Sequence, residues 1–293
     1  MRDPFIVPMK EEGVYYMFGT TDKNCWLPPG TGFDGYKSKD LEEWEGPIEA
    51  FRPPEGFWAT KNYWAPEVHE FKGKFYMFAT FKAERCYRGT QILVSDAIEG
   101  PYQPLTDRPV TPHNWECLDG TFYVDDDGNP WMVFCHEWTQ VHNGSICALR
   151  LSEDLKEAIG RPEFLFDATE ATWVHPLKDW SEEGDGERHR MPAYVTDGPY
   201  LHRMESGQLV MLWSSMGESG YAMGFARSES GTISGPWKQE DVPLWKKDGG
   251  HGMMFRTFEG QLMMAFHSPN RTPDERPIFV EIEEAGNGFR LKG

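Results

Sequence analysis

Gly13-Val-Tyr-Tyr-Met-Phe18 is the first of five related segments in this chain. In each segment a glycine is followed four residues later by a methionine, inside an apolar run that carries aromatic residues. The glycines are Gly13, Gly73, Gly128, Gly207 and Gly260, and the methionines are Met17, Met77, Met132, Met211 and Met264. Five copies with one offset indicate a repeated structural unit.

The repeated segment has the features of the second strand of a β-hairpin. Its glycine lies in a polar turn, as in Asp125-Asp126-Asp127-Gly128, and another short apolar stretch precedes that turn. Further apolar stretches follow, and Gly100-Pro101-Tyr102 and Gly235-Pro236-Trp237 are equivalent corners before an outer strand. Three or four antiparallel strands per unit, in five units, predict an all-β five-bladed β-propeller that forms a single domain over residues 1–293.

One interval between repeats is longer than the others. The glycine-to-glycine spacings are 60, 55, 79 and 53 residues, so the third interval carries about two dozen extra residues. The excess falls at Trp173 to Arg190, which is polar and lacks the alternation of a strand. We expect a long loop on one face of the propeller.

Composition excludes several classes of protein. The net charge is -18, without clusters of Lys and Arg, so neither nucleic acid nor an anionic membrane is an expected partner. No apolar run reaches the length of about 18 residues that a membrane-spanning helix needs. The five cysteines form no CxxC pair, and the start MRDPFIVPMK lacks the pattern of a secretion signal, so a reducing, cytoplasmic location is expected.

The innermost strands of a propeller line one channel, so residues at their starts converge. At these positions stand Asp3, Glu67, Asp119, Asp197 and His251. Carboxylates held this close raise one another's pKa, which keeps one acid protonated while its neighbour stays ionised. Taken singly, each acidic residue before Gly or Pro is also compatible with a simple turn.

The chain resembles glycoside hydrolase family 43, whose members are five-bladed propellers that cleave arabinose- or xylose-containing glycans with inversion. The matching segments are Arg2-Asp3-Pro4-Phe5, Trp64-Ala65-Pro66-Glu67-Val68, Leu118-Asp119, Asp197-Gly198-Pro199-Tyr200 and Gly250-His251-Gly252. They occur in the family's order and cover essentially the whole chain.

The resemblance implies roles for three carboxylates. Asp3 matches the general base that activates water, and Asp119 matches the residue that orients the acid and tunes its pKa. Asp197 stands where the family normally has the glutamate that donates the proton, and aspartate is one methylene shorter. Alternative proton donors elsewhere in the chain are Glu67, Glu137, Glu187 and Glu218.

Substrate contacts are predicted from residues near the blade starts, where aromatic rings can stack on sugar faces, and the metal contact follows from the resemblance. The predicted substrate-binding residues are Trp64, Glu67, Trp138, Tyr200 and His251. His251 matches a family histidine that faces a metal ion or water cluster, so calcium in the central channel is an optional cofactor and none is required. The predicted partner is an oligosaccharide or a polysaccharide side chain.

Three functions remain open at this point. The leading one is an exo-acting hydrolase of the α-L-arabinofuranosidase type, with hydrolysis of galactofuranosides or galactans as a related possibility. A non-catalytic sugar-binding propeller is the second, because Asp197 departs from the family glutamate. A phosphorylase is the third, and Arg188, His189 and Arg190 are the local cations that phosphate would need.

Overall fold

A computed structural model describes residues 1–177 and 191–292 and contains almost only β-structure. The strands form five four-stranded antiparallel sheets, which are the blades. Each blade consists of four consecutive strands whose order across the sheet follows the chain.

The blades have the following strands. Blade 1 comprises β1 (Arg2–Met9), β2 (Val14–Thr20), β3 (Phe33–Ser38) and β4 (Glu45–Phe51). Blade 2 comprises β5 (Lys61–Phe71), β6 (Lys74–Lys82), β7 (Gly89–Ser95) and β8 (Gln103–Pro104). Blade 3 comprises β9 (Cys117–Val124), β10 (Pro130–His136), β11 (Ser145–Leu151) and β12 (Ala158–Asp167). Blade 4 comprises β13 (Asp197–Arg203), β14 (Leu209–Gly217), β15 (Gly220–Ser228) and β16 (Trp237–Gln239). Blade 5 comprises β17 (Gly250–Arg256), β18 (Leu262–Ser268), β19 (Arg276–Ala285) and β20 (Gly288–Leu291).

The blades close into a ring through their first strands. β1 packs against β5 on one side and β17 on the other, and β9 packs against β5 and β13. β13 in turn packs against β17. The five-bladed β-propeller predicted from the repeat is therefore confirmed.

Helices are minor elements. Within residues 1–177 and 191–292 they are α1 (Trp138–Val141) and a 3-10 turn (Ala168–Glu170). Neither is long or apolar enough to cross a lipid bilayer.

The repeated segments are the second strands of the blades, as predicted. Their methionines are buried in the packing between blades, with at most 5% of each side chain exposed. The turn glycines have positive φ, from 64° at Gly13 to 89° at Gly260, which explains why glycine recurs there. The repeat is thus a β-turn glycine followed by a core residue.

The two predicted corners are also equivalent in the structure. In blade 2 the hydroxyl of Tyr102 donates to the carbonyl of Ile98 (2.9 Å), and in blade 4 Trp237 Nε1 donates to the carbonyl of Ile233 (2.8 Å). The aromatic residue at each corner thus reaches back over the same number of residues. A short outer strand begins at or just after each corner.

The long third interval differs in part from the prediction. Trp173 is no surface loop residue, because its indole is buried against Trp213 (5.0 Å between ring centroids). Gly224 makes room for it, since a Cβ there would lie 2.7 Å from the indole. The polar residues 178–190 of this interval lie outside the described residues.

Replacement of a repeat methionine tests its contribution to the core. Met132 is fully buried beside Phe134 and Leu149, so Met132→Ala removes packed volume and is expected to cost about 2–5 kcal/mol of unfolding free energy. Met132→Leu keeps the volume and is expected to cost less than about 1.5 kcal/mol. Urea denaturation of both variants measures the difference, and equal stabilities would contradict a packing role.

Candidate active site

The five inner strands begin with the same β-bulge, in which two residues oppose one residue of the second strand. The first residue of each bulge has a left-handed backbone, with φ between 45° and 54°. These residues are Asp3, Ala65, Asp119, Gly198 and His251. Aspartate and histidine are among the non-glycine residues that most often adopt this conformation.

A side chain of the preceding blade accepts the first N–H of each bulge. The backbone N–H of Ala65 donates to Thr20 Oγ1 (2.8 Å), that of Asp119 to Thr80 Oγ1 (2.9 Å) and that of His251 to Ser214 Oγ (2.8 Å). The N–H of Asp3 donates to His267 Nδ1 (3.2 Å).

The junction between blades 3 and 4 uses a different residue. Here the equivalent side chain is Cys135, whose sulfur is a weak acceptor, and the Gly198 N–H donates to Asp119 Oδ2 instead (3.0 Å). The bulge of blade 4 is thereby tied to a carboxylate of the site.

The bulges refine the predicted alignment of the blade starts. Asp3, Asp119 and His251 share one position, whereas Asp197 immediately precedes the bulge of its strand and Glu67 comes two residues after the first bulge residue. Asp197 still reaches the same cavity, and Glu67 does not. The residue equivalent to Asp3 in blade 2 is Ala65.

A cavity of about 230 Å³ lies at the end of the channel where the inner strands begin. Its wall includes all three predicted catalytic carboxylates, Asp3, Asp119 and Asp197. Of the predicted substrate-binding residues, Trp64, Trp138 and His251 also line it. One cavity therefore holds acids from blades 1, 3 and 4.

Two predicted substrate-binding residues lie elsewhere. Glu67 is buried, and its Oε2 contacts His69 Nε2 (3.0 Å). The hydroxyl of Tyr200 donates to the carbonyl of Met254 (2.8 Å). Both side chains make these contacts within the protein, and neither lines the cavity.

The described alternative proton donors lie in different places, and only some of them are near the cavity. Glu137 lines the cavity and is buried in an ion pair with Arg88, whose guanidinium lies 4.5 Å from the centre of the Trp64 ring. Glu218 is exposed and does not line the cavity. Glu187 and the predicted cations at 188–190 lie outside the described residues.

Asp3 is the carboxylate that stays ionised. Burial acts to raise its pKa, but the imidazole of His251, with Nδ1 3.4 Å from Asp3 Oδ1, and the guanidinium of Arg2 hold the pKa well below its ordinary value. Thr20 Oγ1 donates a further hydrogen bond to Oδ2 (2.6 Å). Asp3 is therefore in the deprotonated form that can accept a proton.

Asp119 has the opposite tendency. Burial, and then the negative charge of Asp3, raise its pKa well above the ordinary value, and the N–H of Gly198 only partly offsets this. Its Oδ2 also lies 3.6 Å from His251 Nδ1. Asp119 thus lies between Asp3 and Asp197.

Asp197 is the carboxyl group poised to hold a proton near neutrality. Burial and the adjacent Asp119 raise its pKa to about 7. The hydroxyl of Tyr221 donates to Asp197 Oδ2 (2.9 Å), which favours the ionised form and limits the rise. Asp3 and Asp197 therefore differ in protonation although they share a cavity.

Tyr221 is held in place by its surroundings. Its ring stacks on His267 (5.7 Å between centroids) and covers Gly250, where a Cβ would lie 2.1 Å from the ring. Its backbone N–H donates to Asp248 Oδ1 (3.2 Å). Glycine at position 250 is thus what allows the phenol to reach Asp197.

His267 connects the Tyr221 ring to the strand that carries Asp3. Burial lowers its pKa, so the ring is neutral, and Nδ1 accepts the N–H of Asp3. Nε2 then donates to Asn270 Oδ1 (3.1 Å). One buried histidine consequently contacts both the strand that carries Asp3 and the tyrosine that contacts Asp197.

Sequence reasoning missed three residues of the site. Trp26 lines the cavity, with its ring at the edge of Trp64 (5.1 Å) and under the guanidinium of Arg2 (4.9 Å). It lies in the β2–β3 loop, which has no counterpart in the repeat. Tyr221 and His267 belong to regular strands, and only the spacing from Gly250 could have suggested a ring above that glycine.

The predicted calcium ligand, His251, lies beside two carboxylates. His251 Nδ1 is directed toward Asp3 and Asp119. Among the described residues no group of three or more histidine, cysteine or acidic side chains has the arrangement of a metal site. The described residues therefore do not fit a protein-ligated metal ion.

Comparisons with known proteins show the family of the chain. The family model described as "Glycosyl hydrolases family 43" matches residues 1–281. A solved structure of an endo-arabinase from Bacteroides thetaiotaomicron VPI-5482 is 40% identical, with a TM-score of 0.88 and coverage of 97% of this chain and 95% of that one.

Two curated relatives are more distant. The extracellular exo-alpha-(1->5)-L-arabinofuranosidase ArbA of Cellvibrio japonicus is 24% identical over 266 residues, 85% of this chain and 70% of that protein. The extracellular endo-alpha-(1->5)-L-arabinanase 1 of Bacillus subtilis is 25% identical over 151 residues, 48% of this chain. That match spans 45% of the Bacillus protein's length.

Titration of Asp197 tests the electrostatics of the cavity. We expect its carboxyl group to titrate near pH 7, because burial and Asp119 raise the pKa to about 7. Tyr221→Phe removes a hydrogen bond to the charged form and is expected to raise this pKa further. Carboxyl ¹³C NMR of aspartate-labelled protein, assigned with Asp197→Asn, measures both values.

Tyr102→Phe is the matched control, because it also removes a buried phenol that donates to a protein oxygen, far from the cavity. It should leave the Asp197 titration unchanged. An Asp197 pKa near 4, or one that does not respond to Tyr221→Phe, would contradict the assignment.

Proposed function

The chain belongs to glycosyl hydrolase family 43 and is an inverting glycoside hydrolase, and we propose that it removes terminal α-L-arabinofuranosyl units from arabinan- or xylan-derived oligosaccharides. The observation that carries this proposal is the pair Asp3 and Asp197. They line one cavity, and the pKa of the first is depressed while that of the second is raised to about 7.

The two carboxyl groups divide the reaction between them. Asp3 accepts a proton from a water molecule, which attacks the anomeric carbon from one side of the sugar. Asp197 donates its proton to the glycosidic oxygen as the bond to the leaving group breaks. Asp119 raises the pKa of Asp197 and holds the Gly198 N–H, so it keeps the acid protonated and fixes the strand behind it.

Tyr221 compensates for the short acid in this proposal. Its hydroxyl fixes one oxygen of Asp197 at 2.9 Å. The phenol therefore restricts the orientation of a carboxyl group that is one methylene shorter than the usual glutamate. An oriented donor loses less freedom when the proton is transferred.

The dimensions of the cavity favour action at a chain end. Its volume of about 230 Å³ lies below the roughly 300–1,000 Å³ typical of sites for larger ligands, and it suits one sugar unit. Trp26, Trp64 and Trp138 supply aromatic surface on which a sugar can stack.

Endo-action on arabinan is the second candidate. It is favoured by the 40% identity to a protein described as an endo-arabinase. Product analysis separates the two modes, because an exo-acting enzyme releases only monosaccharide from the start, whereas endo-action releases a ladder of oligosaccharides. Nitrophenyl xyloside and galactofuranoside, tested in parallel, define the sugar.

Asp3→Asn and Asp197→Asn should differ in their dependence on the leaving group. Loss of the base affects every substrate, so Asp3→Asn is expected to lower kcat about 10²–10⁴-fold for both nitrophenyl arabinofuranoside and α-1,5-arabinobiose. Loss of the acid matters most for the poor leaving group, so Asp197→Asn should impair arabinobiose hydrolysis far more than nitrophenyl release. Initial rates on both substrates provide the comparison.

Glu137→Gln serves as the comparison for the acid, because Glu137 lines the same cavity. If Asp197→Asn slows both substrates equally and Glu137→Gln shows the leaving-group dependence, Glu137 is the donor and the proposal is wrong. Full activity of Asp3→Asn would remove Asp3 as the base.

Calcium dependence remains a proposal that chelation can test. We expect hydrolysis to continue in EDTA, because the proposed proton transfers need only Asp3 and Asp197. The rate should be measured before chelation, after it and after addition of CaCl₂. A rate that collapses in EDTA and recovers with calcium would show that the ion is required.

A further inference from the structure

A second groove, of about 450 Å³, lies on the same face of the propeller as the active-site cavity. It is formed by the β4–β5 loop with Trp58, the β6–β7 loop with Arg85 and Tyr87, and the β8–β9 loop with Arg108. Because neighbouring strands are antiparallel, these three loops all emerge at the end where the inner strands begin. We call this feature the arginine groove.

The arginine groove adjoins the active-site cavity through Arg88. This residue lines the groove, stacks over Trp64 and pairs with Glu137, and the last two line the cavity. A glycan whose terminal sugar lies in the cavity can therefore extend past Trp64 toward the groove.

The charge of the groove is unusual for this chain. The net charge is -18, and many of its arginines form ion pairs with carboxylates. Such arginines are Arg2, Arg52, Arg88, Arg203, Arg227, Arg256, Arg271 and Arg290.

Arg85 and Arg108 differ from these. Both are exposed, and within residues 1–177 and 191–292 neither forms an ion pair with a carboxylate. Glu84 and Asp107 adjoin them in sequence but do not line the groove. Two cations thus face the groove without compensating charge.

The groove also has aromatic surfaces. Arg108 lies over the Trp58 ring at 5.6 Å, a cation–π distance that limits where its guanidinium points. Tyr87 is 49% exposed, so its ring is available for stacking on a sugar. Guanidinium groups beside an exposed ring are suited to an anionic sugar, because the planar fork of arginine matches a carboxylate.

We propose that the arginine groove binds the carboxylate of a uronic acid in the glycan from which the terminal sugar is removed. The substrate class is then an acidic, uronate-containing polysaccharide fragment. This inference rests on the proposed function for its biological setting, but binding to the groove does not depend on turnover.

The experiment measures binding without hydrolysis. Isothermal titration calorimetry with trigalacturonic acid and with its fully methyl-esterified form compares two ligands that differ in charge. We expect the wild type to bind the acid at least tenfold more tightly than the ester, and added NaCl should weaken this preference. Nitrophenyl arabinofuranoside hydrolysis, measured on the same samples, reports separately on the proposed function.

The variant Arg85→Gln/Arg108→Gln should lose the preference for the acid and retain nitrophenyl arabinofuranoside hydrolysis. Arg161→Gln is the matched control, because Arg161 is exposed on β12 and lines neither the groove nor the cavity. Equal affinity for acid and ester, no binding of either, or a preference that survives in the double variant would overturn the proposal. Failure of arabinofuranoside hydrolysis alone would count only against the proposed function.

Discussion

The left-handed residue at the start of each inner strand is the constraint on which the active site depends. It belongs to a β-bulge, and at all five junctions a side chain of the preceding blade accepts its N–H. Left-handed backbone at a non-glycine residue costs about 1–3 kcal/mol, which the packing of the blades must offset. The position of Asp3 or Asp119 is therefore set by the contact between blades as well as by its own strand.

The same junctions also determine the charge of each acid. Asp3 lies beside His251 and stays ionised, whereas Asp197 lies beside Asp119 and has its pKa raised to about 7. Two identical side chains, Asp3 and Asp197, thus obtain different protonation states from their neighbours. The departure from the family glutamate at position 197 is accompanied by a tyrosine hydrogen bond to the shorter side chain.

The sequence predicted what the repeat encodes. A recurring glycine and methionine identify the second strand of each blade, and alignment of the blade starts brought Asp3, Asp119 and Asp197 together. The same alignment misplaced Glu67 by two residues, because the bulge residue of β5 that matches Asp3 is Ala65, and Glu67 does not line the cavity. Trp26 was missed because loops outside the repeat carry no periodic signal, and Trp173 was placed on the surface because one buried indole in a loop leaves no pattern.

Ring closure gives the catalytic centre an unusual dependence on chain order. Asp3 belongs to the first strand, and the histidines that surround it, His251 and His267, belong to the last blade. Contacts across such a sequence separation are slow to form. During synthesis, a nascent polypeptide bearing only four completed blades has Asp3, the proposed base, but lacks the imidazoles around it, so the proposed site is completed in the final step of assembly.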